Sequence, residues 1–223
     1  MAARQKALIA WSSGKDSAWA LHAVRRAGEF DVVGALTTVT DEFARVSMHG
    51  VREQLLHAQL AAAGLPAIVV RIPFPCPNDV YERKMAAAIE DAKARGVTHM
   101  IFGDLFLEDV RAYRERQLAG TGITPVFPLW QIPTGRLARE MIASGVEAHL
   151  STVDLKKLPV SFAGRRFDAA LLDALPEGAD PCGENGEFHS FVSAGPMLTG
   201  RVAIEVGETV ERDGFAFADL RPG

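Results

Sequence analysis

Three groups of residues carry side chains whose types and spacing could do chemistry. The first, Ser12-Ser13-Gly14-Lys15-Asp16-Ser17, lies between a short apolar run and an apolar-periodic stretch, where a phosphate cradle belongs. Small residues let the backbone approach an anion, a following helix offers unpaired N–H groups and the positive end of its dipole, and two hydroxyls and a lysine can add contacts. Taken alone, the same residues could form a solvated turn whose Ser and Asp cap the helix. The Walker A pattern is absent, because it would need glycine at residue 9, where Ile9 stands, and Ser or Thr at Asp16; G-x-G-x-x-G is absent too.

The second group is Gly103-Asp104-Leu105 followed by Arg111 and Glu115. Asp104 follows a strand-like segment and would face a ligand crevice. Arg111 and Glu115 share one helix face, where on their own they make a surface ion pair. The third group is Asp180-Pro181-Cys182-Gly183-Glu184-Asn185-Gly186-Glu187-Phe188-His189-Ser190-Phe191, two glutamates, an asparagine and a histidine in a glycine-containing loop. It reads as a polar binding site or as a solvated turn before an edge strand. Cys182 and His189 lack the further ligands a zinc site needs.

The elements that must position these groups follow from hydrophobic periodicity. Strand-like segments at 7–11, 32–37, 67–72 and 98–102 alternate with helical ones at 18–27, 50–63 and 78–95, and the segment after Asp104 begins an acidic helix. This alternation predicts a parallel sheet with helices on both faces, whose ligands lie beyond the carboxyl ends of the strands. From about residue 121 the chain becomes Pro-rich. A helix at 134–144, a strand at 146–153, a helix at 162–175, a polar loop at 180–195 running into a strand, and a hairpin of 202–210 with 215–220 around Asp213-Gly214 are expected there. The division is therefore residues 1–120 as one domain and 121–223 as a smaller C-terminal lobe.

Composition narrows the function. The chain has 223 residues, 48% of them hydrophobic, enough to bury a core along most of its length. Formal net charge is −4 and the 24 basic residues are scattered, which argues against general nucleic-acid binding. No apolar run is long enough for a membrane span, and residues 1–6 lead into a strand and not a signal peptide, so a cytoplasmic protein is expected. Cys76 and Cys182, far apart, imply no disulfide framework and fit a reducing compartment.

The first loop resembles the PP-loop of ATP pyrophosphatases, Ser-Gly-Gly-x-Asp-Ser, with Ser12, Gly14, Asp16 and Ser17 in matching places. Ser13 stands where that loop usually has glycine, an exchange that expects Ser13 to avoid a positive φ. Together with Gly103-Asp104-Leu105, Arg111, Glu115, Pro125-Val126-Phe127-Pro128-Leu129-Trp130 and Cys182-Gly183-Glu184-Asn185-Gly186-Glu187-Phe188-His189, it makes nearly the whole chain similar to the diphthine–ammonia ligase family.

The resemblance implies an adenine nucleotide α-hydrolase-like, Rossmann-like α/β fold that binds ATP, and a C-terminal lobe completing an acceptor site. It implies adenylation of an acceptor carboxylate with release of pyrophosphate, then amidation by ammonia with release of AMP. On this reading the pyrophosphate falls to Ser12, Ser13, Gly14, Lys15 and Ser17, and Mg²⁺ to Asp16 and Asp104. Adenine falls to the strand ends near Ala10, Trp11, Leu36, Thr37 and Gly103, with Met48 and His49 bordering the nucleotide. Glu184, Glu187, Asn185 and His189 are candidates for acceptor and ammonium, with Arg111 and Glu115 as further substrate-binding candidates; Lys15, Asp16, Asp104, Glu184 and Glu187 are the catalytic set. The acceptor is a small molecule or a protein side chain, no membrane partner is expected, and a homo-oligomer is compatible with the sequence. A PP-loop sulfurtransferase, which needs a nucleophilic cysteine, and a nucleotide-sensing module without turnover remain alternatives.

Overall fold

The computed structural model describes residues 4–223, so part of the N-terminal stretch that argued against a signal peptide, residues 1–3, lies outside the described residues. The elements in chain order are β1 (Gln5–Ala10), α1 (Lys15–Ala27), β2 (Phe30–Thr40), β3 (Arg45–Val46), α2 (Glu53–Ala63), β4 (Ala67–Ile72), α3 (Asn78–Ala94), β5 (His99–Ile101), α4 (Glu108–Leu118), β6 (Thr124–Val126), α5 (Thr134–Ala143), β7 (Glu147–Asp154), α6 (Ala169–Ala174), β8 (Phe188–Ala194), β9 (Ile204–Arg212) and β10 (Phe215–Pro222). Among the described residues no helix is long and apolar enough to cross a membrane.

The first sheet is parallel in the order β4-β2-β1-β5-β6, with the two-residue β3 added antiparallel to the far end of β2. Its central strands are apolar runs because both faces are covered. Ala7, Ile9 and Ala35 face the layer that holds Leu21, Leu56 and Leu60 of α1 and α2. Leu8, Leu36 and Met100 face the opposite layer with Ile89 of α3 and Leu118 of α4. That second layer is thin: Ile89 and Ala92 are the fully buried residues of α3, and Leu118 is that of α4. The second sheet is antiparallel, β8-β7-β10-β9, and closes the C-terminal end of the chain. Its last two strands form the hairpin foreseen from Asp213-Gly214, both with positive φ as a tight two-residue turn requires. The α/β class, Rossmann-like with a smaller α+β lobe, is therefore the architecture observed.

Two elements differ from expectation. Helix α1 begins at Lys15 and not at residue 18, because Lys15, Asp16 and Ser17 form its first turn although they break the apolar period; the Gly14 carbonyl accepts from the Ala18 amide at 3.1 Å. The expected helix at 162–175 is largely replaced. A single 3₁₀ turn at Val160–Phe162 gives way at Gly164 to an extended stretch bonded to β7 through Gly164 and Phe167 amides, and only the six residues of α6 are helical. Asp168 caps α6 by accepting from the Leu171 amide at 2.8 Å, which fixes the helix start far past 162.

Candidate active site

Along the first sheet the chain order reverses between β1 and β5, so the crevice beyond their carboxyl ends is the expected ligand position of an open α/β sheet. A cavity of about 1060 Å³ opens there. Its walls include Ala10, Trp11, Ser12, Lys15, Asp16, Ser17, Leu36, Thr37, Met48, His49, Gly103, Asp104, Glu184 and His189, so three segments distant in sequence meet in one place. It also extends beneath the thin α3 and α4 layer, past Tyr81, Met85, Phe102 and Tyr113.

Between β1 and α1 the loop is held from behind. Ser13 has φ 67°, so the expectation that serine at this position avoids a positive φ is overturned. It is fully buried, and its carbonyl accepts from the Val192 amide at 3.1 Å and from Gln59 Nε2 at 3.0 Å. Those bonds turn the loop away from a relaxed conformation that would otherwise be favoured by about 1–2 kcal/mol. Ser190 Oγ accepts from the Lys15 amide at 3.2 Å, so β8 of the second sheet packs directly on the first turn of α1. On the other side, a Cβ at Gly103 would lie 2.7 Å from the Asp16 carbonyl carbon and 2.8 Å from the Ser17 amide nitrogen. Only glycine lets β5's exit pass that close.

The Lys15 ammonium is 2% exposed; it donates to Asp16 Oδ2 at 2.8 Å and to the Cys182 carbonyl, and lies over the Phe188 ring at 5.2 Å. Burial alone would lower the Lys15 pKa, but the adjacent Asp16 carboxylate outweighs it and holds the ammonium charged. Burial raises the Asp16 pKa against the pull of Lys15, with Asp180 adding to the rise. Asp104 is raised by burial against the attraction of Arg114, 3.6 Å away. Glu184 is pushed up to about 7 by burial, with Asp16 and Asp104 adding to it while the Leu105 amide, donating to Oε1 at 2.7 Å, opposes it. Asp16 Oδ1 and Asp104 Oδ2 are buried without a hydrogen-bond partner. No group of three His, Cys, Asp or Glu side chains among the described residues could by itself hold a metal ion. The two orphaned carboxylate oxygens do fit a cation that takes one or two protein carboxylates and completes its shell from phosphate oxygens and water.

His49 and His189 stack at 4.3 Å between ring centroids. Burial keeps both neutral; His189 is lowered to about 4, with the Lys15 charge adding to the effect. Of the other expected residues, Arg111 and Glu115 stand away from the cavity as an exposed pair at 2.8 Å, with the guanidinium 4.8 Å from the rings of both Phe127 and Trp130. Glu187 is buried behind the cavity wall, its Oε1 accepting from the Asp180 amide at 2.9 Å and from Asn185 Nδ2 at 3.2 Å. Asn185 faces that bond and not the cavity.

The comparisons with known proteins decide the family. The diphthamide synthase N-terminal domain model matches residues 5–125 and the diphthamide synthase C-terminal domain model matches residues 133–219. The chain belongs to the diphthine–ammonia ligase family. Relatives named diphthine–ammonia ligase include those of Rattus norvegicus, 32% identical, Mus musculus, 27%, and Homo sapiens, 26%, each over 148 residues, 64% of this chain and 54% of the relative. The chain thus spans about half the length of the curated relatives it matches.

In this diphthine–ammonia ligase family member, sequence reasoning missed residues that shape the site. Gln59 lies in the middle of α2 and is fully buried, and nothing in the helical pattern separates it from a surface glutamine. Ser190 stands inside the third group, but nothing in the sequence gave it a role of its own. Arg114 could have been found, since it lies on α4, the helix that follows Asp104. The cavity mouth carries exposed Phe43 and Phe74, 5.3 Å apart, with the Arg212 guanidinium 5.1 Å from the Phe43 ring. These sit in turns and on the β9 edge, where periodicity is silent.

Proposed function

We propose that the protein is an ATP-dependent, AMP-forming amide ligase that adenylates an acceptor carboxylate, releases pyrophosphate and amidates the acceptor with ammonia. The observation that carries this reading is that Ser12, Lys15, Asp16 and Ser17, at the start of α1, line the same cavity as Asp104 and Glu184. The names of the relatives support the ligase class.

In this mechanism Ser12, Gly14 and Ser17 receive the β and γ phosphates at the helix start, where N–H groups and the dipole favour negative charge. Lys15 supplies positive charge under the loop and ties it to the Cys182 carbonyl. Adenine rests along Ala10, Trp11, Leu36 and Thr37. Asp16 and Asp104 would hold Mg²⁺, which neutralises phosphate charge when bound. Attack of the acceptor carboxylate on the α-phosphorus forms the acyl–phosphate bond and expels pyrophosphate; ammonia then attacks the acyl carbon and expels AMP. Glu184, whose pKa lies near neutrality, is placed to take the proton released from the ammonium nitrogen. Glu187 and Asn185 act indirectly, by shaping the loop that presents Glu184. We assign the nucleotide to the parallel sheet, the 1–120 unit with β6 added because it pairs with β5, and the acceptor to the lobe that follows.

Cys182 fits the sulfurtransferase alternative poorly. Cys182 is 1% exposed and burial pushes its thiol well above the ordinary range, which disfavours the thiolate a nucleophile needs. The ligase reading is tested with an acceptor whose carboxylate carries a heavy-oxygen label. Label appearing in AMP supports attack of the carboxylate on the α-phosphorus, and its absence during pyrophosphate release refutes it.

A further inference from the structure

The structure assigns to Gln59 the task of a positioning residue: it clamps Ser13 in the left-handed conformation that opens the phosphate loop. Its side chain is fully buried in α2 and makes three bonds to three separate segments. Oε1 accepts from Trp11 Nε1 at 2.9 Å, at the end of β1. Nε2 donates to the Ser13 carbonyl at 3.0 Å and to the Val192 carbonyl at 2.6 Å. The Val192 amide in turn donates to the Ser13 carbonyl at 3.1 Å. One side chain therefore joins the first strand, the loop and the second sheet.

What the clamp opposes is visible at Ser13. A non-glycine residue loses a factor of about 5 to 30 in population when it enters the left-handed region. The Ser13 hydroxyl offers no compensation, since its Oγ is buried without a partner. The conformation is therefore held from outside the residue, and the Ser13 carbonyl, bonded twice, is where it is held. With the clamp closed, Ser12 and the first turn of α1 face the cavity; without it, the loop can relax and carry these groups out of register.

The inference rests on the reading that this loop binds the ATP phosphates, and it makes a demand that a merely structural glutamine would not. Gln59→Met, close in length and apolar, removes all three bonds. It should weaken ATP binding by about tenfold, within the range set by the left-handed penalty. Adding Ser13→Gly removes that penalty and should restore affinity to within about threefold of wild type, although the melting temperature stays as low as in Gln59→Met. These affinities are read by calorimetry on the full chain with ATP and Mg²⁺. Folded Gln59→Met that binds ATP like wild type would overturn the inference, as would a double variant no better than Gln59→Met. If Gln59→Met does not fold, Gln59→Asn, too short to reach Ser13, carries the same test. If wild type itself binds no ATP, the functional reading fails and the clamp is judged by hydrogen exchange alone: Val192 and loop amides should exchange at least about tenfold faster in Gln59→Met than in wild type, and equal rates would overturn it.

Discussion

The Lys15 ammonium lies 2.8 Å from the carboxylate of its own neighbour, Asp16, and the same ammonium is bound by the Cys182 carbonyl from the other lobe. Two adjacent helix residues thus form a partly buried ion pair that also joins the start of α1 to the third motif.

Removing Lys15 leaves a partly buried charge. Lys15→Ala should lower the unfolding free energy by about 1–3 kcal/mol, measured by urea denaturation, because Asp16, 26% exposed toward the cavity, stays partly desolvated without its counter-charge. Lys15→Met combined with Asp16→Asn should recover a large part of this loss, since neither charge remains. Neither variant should restore turnover, which is expected to fall by about 10² or more with the loss of a charge aimed at the phosphates.

Glu184 and Glu187 should respond in opposite directions although they are three positions apart. With its pKa raised from 4.5 to about 7 in the folded state, Glu184 binds a proton more tightly folded than unfolded. Stability from this group is full below pH 4.5 and is lost as pH rises through about 7, by roughly 1–3 kcal/mol after allowing for its partial opening to the cavity. Glu184→Gln, which keeps the acceptor for the Leu105 amide, should flatten that part of the stability profile and raise stability at pH 8, while turnover falls by about 10² to 10⁴. Glu187→Ala strands the Asp180 amide and should instead cost about 1–3 kcal/mol at pH 8. Thermal melts from pH 4 to 8 separate the two; parallel profiles for wild type and Glu184→Gln would count against the assignment.

How much of this was legible in the sequence depends on what each feature leaves in the pattern. The parallel sheet was legible because its strands, covered on both faces, are continuous apolar runs between helices. The true start of α1 was not, since the polar Lys15-Asp16-Ser17 breaks the apolar period and hides the first turn. Residues 162–175 misled because Phe167 and Leu171, at i and i+4, fit a helical spacing, whereas Phe167 is in fact buried on an extended segment against β7. Asp16, Asp104, Glu184 and His189 were found from motif chemistry and do share the cavity. Arg111 with Glu115 and Glu187 with Asn185 show the limit of that method: residue type marks a polar cluster but not which way each side chain turns. Gln59 was invisible because its importance lies in three partners distant along the chain.

Gly103 tests the close passage of β5's exit over α1. Gly103→Ala places a Cβ within 2.9 Å of three backbone atoms of Asp16 and Ser17, none of which can move without shifting the loop. It should cost about 1–3 kcal/mol in stability and weaken ATP binding by about tenfold or more. Gly200→Ala, where an added Cβ meets nothing within 4 Å, serves as the control and should stay within about 0.5 kcal/mol of wild type. Calorimetric titration of both variants with ATP checks this, and equal affinities would contradict the placement of the loop.

The most direct test of the central claim is the position at which ATP is cut. The protein is incubated with ATP, Mg²⁺, ammonium and a pool of candidate carboxylates, and nucleotides and acceptors are followed together by mass spectrometry. AMP and pyrophosphate in equal amounts, matched by an acceptor one amide heavier in nitrogen, is the expected result; ADP and phosphate as the dominant products would contradict it.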